Sequence, residues 1–117
     1  MSQHVRIETS GGLIEATILD SHVLDEVLIS EIGDQLKQAM AQMEPPRLIV
    51  NFAAVDHLSS AALGMLITLN NLANEHGGAL CLSGIEDRIL EVFKITKLDR
   101  VLAIQPGMDD ARAALQA

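Results

Sequence analysis

The sequence predicts an α/β domain: a single-layer, mixed, mostly parallel sheet of about five strands with about four helices. Three observations predict it. Short apolar runs alternate with longer segments at helical spacing, the pattern of strand–helix–strand units on a parallel sheet. Gly11-Gly12 separates two strand-like segments near the start, which adds a hairpin strand to that sheet. The chain is 49% hydrophobic yet has two Phe and no Trp or Tyr, so its core is aliphatic. At 117 residues it fits one domain over 1–117.

Each element has its own reason. Residues 5–9 read as a strand, and residues 13–19 alternate as a second. Asp25 suits the N-cap of a helix running to about residue 42. Leu28, Ile32, Leu36 and Met40 recur every fourth residue and make one buried stripe. Gly33 inside that helix costs about 1 kcal/mol relative to Ala, and close packing on the sheet would explain it. Pro45-Pro46 ends the segment, and residues 48–52 read as a central strand covered on both faces. The second long helix spans about residues 60–75, stopped by Gly77-Gly78, and residues 79–83 are another strand. Ser83-Gly84-Ile85-Glu86 has capping-box spacing, followed by Ile85, Ile89, Leu90 and Phe93 at helical spacing. Residues 101–104 read as a last strand, Pro106-Gly107 as a turn and residues 109–116 as a terminal helix.

Composition excludes several functions. A net charge of −8 argues against sequence-independent nucleic-acid binding, which needs Lys and Arg on phosphates. One cysteine excludes an internal disulfide; Cys81 sits in an apolar run and reads as a small buried hydrophobe. Met1-Ser2-Gln3-His4 opens no basic-then-apolar leader, so a cytoplasmic protein is expected. Between Arg6 and Lys37 the charged residues are all acidic: Glu8, Glu15, Asp20, Asp25, Glu26, Glu31 and Asp34. This is either a solvated face or a docking face for a basic partner.

Enzyme signatures are missing: no phosphate-binding loop with a Lys, no Gly-x-Gly-x-x-Gly and no Gly-x-Ser-x-Gly elbow. His4, His22, His57 and His76 lack metal-ligand spacing, so no metal or cofactor is expected. His57 lies beside two serines, but no third group orients a nucleophile–base pair, and a loop residue is the expectation.

Those serines are the most informative feature. Ser59 and Ser60 stand where a short strand and loop give way to a helix. Free N–H groups and the positive end of the helix dipole gather there, so a serine can cap the helix, bind an anion or receive a phosphate. Ser59 suits the N-cap and Ser60 the first turn. From residue 57 to 74 there is no charged side chain, yet the segment is too polar for a membrane span. With Leu63, Leu66 and Ile67 on the sheet, Ala62, Met65 and Leu69 are candidates for an exposed apolar strip. Either other elements cover that strip or a partner docks there. A phosphate on Ser60 would add about −1.5 to −2 charges. The helix tolerates such a charge; a partner packed against the strip would not.

In these residues the chain resembles the STAS domains, which include bacterial anti-sigma factor antagonists. The family's marker is a strand, a short loop and Asp-Ser-Ser/Thr-Gly-Leu-Gly opening a helix. Ser59-Ser60-Ala61-Ala62-Leu63-Gly64 occupies that place, with Ser59 where the family has Asp and Ala62 where it has Gly. Leu24-Asp25, Gly77-Gly78 and Glu91-Val92-Phe93-Lys94-Ile95-Thr96-Lys97-Leu98 look like further family features, so the similarity runs from about residue 13 to 102. The resemblance implies an antagonist that binds a serine-kinase anti-sigma factor and is switched by phosphorylation at Ser60, with Ser59 as the alternative acceptor. A PP2C-type phosphatase would reverse the switch. The expected partner surface comprises Asp25, Ser59, Ser60, Ala62, Met65 and Leu69, on a monomer or weak dimer. The competing reading is a non-phosphorylated scaffold that docks to a signalling or transport partner.

Overall fold

The computed structural model describes residues 4–116. Strands β1 (Val5–Ser10), β2 (Leu13–Ile18), β4 (Arg47–Asn51), β6 (Ala79–Ser83) and β7 (Ala103–Gln105) form one sheet in the order β1-β2-β4-β6-β7. The β1–β2 pair is antiparallel and the other pairs are parallel. Strands β3 (His22–Val23) and β5 (His57–Leu58) make a separate parallel pair. The helices are α1 (Glu26–Ala41), α2 (Ser60–Glu75), α3 (Asp87–Ile95) and α4 (Met108–Gln116).

The two-residue period of the central strands sorts their side chains into two layers. Leu48 and Val50 of β4 and Leu80 and Leu82 of β6 join the large cluster built with Ile32 and Leu36 of α1, Leu66 and Leu69 of α2 and Phe93 of α3. Ile49 and Cys81 point the other way, into a smaller cluster with Leu13 and Ala111 of α4. Burial pushes the Cys81 thiol up, as expected of a structural cysteine. Gly33 meets α2 instead of the sheet: a β-carbon there would lie 3.3 Å from Met65 Sδ. Its missing side chain lets the two helices approach.

Residues 83–105 depart from the sequence reading. Ser83 is no cap; it stays in β6, buried, with Oγ donating to Met108 Sδ at 3.0 Å. Gly84, at φ +69°, makes the turn, and α3 begins at Asp87 with Glu86 as an N-cap whose side chain accepts from Arg88 Nε, at 3.0 Å, and from no helix N–H. The last strand starts later than expected because a 3-10 turn, Leu98–Arg100, follows Lys97 in the left-handed region. The expectation at Met1–Gln3 lies outside the described residues.

Helix α4 is fastened to the sheet by a forked ion pair. Arg112 Nε donates to Glu15 Oε2 at 2.6 Å, and its Nη2 donates to Oε1 at 2.9 Å. The guanidinium holds the Glu15 carboxyl below its ordinary value of 4.5, against the opposing effect of burial. A depressed carboxyl stabilises the fold above the unfolded value and loses that contribution as pH falls through the folded one. Arg112→Met should therefore melt below the wild type at pH 7, and the gap should close as pH drops below 4.5. Thermal melts across that range check this; a gap independent of pH would contradict it.

Candidate functional site

The loop from β4 to α2 is fixed from both sides. Phe52 and Val55 anchor it in the core, and Asn51 Oδ1 accepts a bond from Ala53 N–H at 3.0 Å. The β3–β5 pair then ties it to the segment before α1. Asp56 and His57 N–H donate to Ser21 O at 2.8 and 3.0 Å, and Ser59 N–H donates to Val23 O at 3.1 Å. The starts of α1 and α2 are thereby brought side by side. The His22 and His57 rings stack above this clamp, 4.4 Å apart and 8° from parallel.

The two serines divide the roles. Ser59 is the N-cap of α2, in extended backbone (φ −89°, ψ 166°), with Oγ accepting from Ala62 N–H at 3.3 Å. Ser60 is the first helical residue and is exposed. Its hydroxyl stands at the positive end of a 16-residue helix whose first turn holds no acidic side chain. Ser59→Ala is expected to lose about 0.5 to 2 kcal/mol of stability, as cap deletions do. Chemical denaturation measures this, and an unchanged midpoint would show that the cap contributes nothing.

Asp25 caps α1, accepting from Leu28 N–H at 3.1 Å, and remains exposed beside the serines. Ala62 and Leu69 do not belong to a docking strip: both are 0% exposed, within the main core. Met65 is half-buried against Gly33. The reason is that α2 is covered twice, by the sheet beneath and by α1 beside it. Its open stripe is instead small and neutral: Ser60, Ala61, Gly64, Thr68 and Asn71. Its lack of charge is a property of that surface as well as of the core side.

Two aliphatic side chains are exposed at the start of α1, one just before the helix and one in its first turn. Leu24 is 49% exposed and Val27 64% exposed, flanking Asp25. Neither falls on the buried stripe of α1, and that mismatch is the signal by which they could have been found. Ser60, Asp25, Leu24 and Val27 therefore gather at one end of the molecule, an anion-favouring point beside two exposed aliphatic side chains. Among the described residues, no three His, Cys, Asp or Glu side chains gather to hold a metal ion. No described helix is long and apolar enough to cross a membrane.

Comparison with known proteins agrees with this geometry. The family model described as STAS domain matches residues 19–111. An anti-sigma-factor antagonist (STAS) domain protein from Planctomyces limnophilus superposes with a TM-score of 0.88 at 16% identity, over 97% of this chain and 98% of its own. An anti-sigma factor antagonist from Mycobacterium paratuberculosis gives 0.78 at 21% identity, over 97% and 93%. The phosphorylated form of the Bacillus cell fate determinant SpoIIAA gives 0.70 at 14% identity, over 94% and 96%. At such identities the likeness is one of fold.

Proposed function

The chain belongs to the STAS domain family, and from that premise we propose that it is an anti-sigma factor antagonist, a binding module and not an enzyme. It binds an anti-sigma factor that is itself a serine kinase, through the surface around Ser60, and so frees a sigma factor in the cytoplasm. The kinase ends the interaction by phosphorylating Ser60, and a PP2C-type phosphatase restores it. One observation carries this reading: Ser60 is exposed at the first position of α2, whose start the β3–β5 pair ties to the segment that leads into the exposed Leu24 and Val27. A partner seated there desolvates the Ser60 hydroxyl, and a phosphate would place a double charge in that contact.

Ser60 is a better acceptor than Ser59, whose oxygen already caps the helix. Phosphorylating Ser59 would disturb that bond, whereas a phosphate on Ser60 meets the helix dipole favourably. The existence of SpoIIAA in a phosphorylated form supports the same chemistry on this fold. Ser59 stands where the family motif has Asp, so the kinase must work without that carboxylate. The test is to incubate the protein with its serine-kinase partner and ATP, then map the site by mass spectrometry. Phosphate on Ser60 supports the proposal. Stable binding to a non-kinase partner, with no phosphate on either serine, would replace it by the scaffold reading.

A further inference from the structure

We propose that copies of this chain associate head to tail: the corner between α3 and the 3-10 turn of one copy seats against the start of α1 of the next. That corner is basic and aliphatic. Ile95 is 76% exposed there and Val101 52%. Lys94, Lys97 and Arg100 stand exposed around them, with Asp99 as the one acid from residue 94 to 101. None of the three cations makes an ion pair among the described residues, in a chain whose net charge is −8. Lys97 also holds the left-handed backbone, φ 63°, that a helix usually ends on with glycine. The corner is thus a local cationic patch around aliphatic side chains on an acidic protein. It fits an acidic surface that carries aliphatic side chains of its own.

The chain itself carries such a surface. Leu24 and Val27 are exposed, and between them Asp25 and Glu26 are exposed and make no ion pair among the described residues. The two patches match in kind, with aliphatic side chains on both and charges of opposite sign. They lie at opposite edges of the sheet: α1 packs along β1 and β2, and the 3-10 turn lies against β7. The pairing is therefore between copies, and between unlike patches. A bound copy keeps one patch free, so association continues past a dimer. The net charge of −8 sets whole copies against one another at long range. At ~0.15 M salt the screening length is about 8 Å, so that repulsion fades while facing pairs still act. Each contact is short and falls below the ~1,200 Å² of a stable interface, so every step is weak and reversible. The contact covers Leu24 and Val27 and excludes a partner seated there; that consequence rests on the proposed function, whereas the association does not.

Sedimentation equilibrium of the whole chain from ~10 µM to ~1 mM, at ~0.15 M salt, tests this. The mean mass of the wild type should rise with concentration and pass that of a dimer. Lys97→Glu spoils the corner and Val27→Asp the start of α1, each at an exposed position where the melting temperature should hold. Alone, each variant should associate about tenfold more weakly. Their equimolar mixture keeps one intact pair of patches, so it should regain the wild-type affinity and stop at a one-to-one dimer. A wild type that stays monomeric or stops at a dimer, a variant that associates as the wild type does, or a mixture no larger than its components would each overturn the proposal.

Discussion

Gly78→Ala is expected to lower the melting temperature by about 10 °C or more, the consequence of the ~1–3 kcal/mol or more that overpacking costs. The new β-carbon would lie 1.8 Å from Pro46 O and 2.7 Å from Pro46 C. These are backbone atoms and cannot swing aside. Pro46 O also accepts the Ala79 N–H bond, at 2.9 Å, that begins the β4–β6 pairing. Relief of the clash therefore separates the two central strands. Gly64→Ala is the control, since nothing lies within 4 Å of its added carbon; it should stabilise the fold by roughly 0.5 to 1 kcal/mol. Calorimetry of the two variants decides the matter, and equal melting temperatures would contradict the packing described for Gly78.

Ser60→Asp is expected to weaken partner binding by about tenfold or more while leaving the fold intact, and a phosphate by about a hundredfold or more. The helix terminus gains roughly 0.3 to 1 kcal/mol from a negative charge, so stability should not fall. The same charge, at the end of the molecule that carries Leu24 and Val27, must be desolvated when a partner docks. Ser60→Ala should bind normally and resist switching. Isothermal titration with the anti-sigma factor gives the affinities, and thermal melts give the stabilities. Loss of several degrees together with binding would make Ser60 a structural residue.

Long amphipathic segments were legible in the sequence. Asp25 and Ser59 were recognisable as caps because the helix pattern begins directly after each, and α2 runs over the expected residues. Short-range features were not. β3 and β5 are two residues each, too short for any periodicity, and they exist because the loops before α1 and α2 bond to one another. Ser83 looked like a cap by spacing, but β6 keeps it for a tertiary contact with Met108. Ala62 and Leu69 looked exposed because a helix packed on a sheet alone would leave them so; α1 closes over that side. Leu24 and Val27 were missed for the converse reason, since nothing in the described fold covers them. The serine pair was readable because its chemistry is local, a cap and a first-turn hydroxyl on one helix. The surface around it depends on how two helices meet.

The most direct measurement is affinity capture from the native cell with two baits, one unmodified and one carrying phosphoserine at position 60 installed during synthesis. The account predicts that the unmodified bait retains a serine-kinase anti-sigma factor, and that the phosphoserine bait loses it. Equal retention of that kinase by both baits would contradict the switch at Ser60.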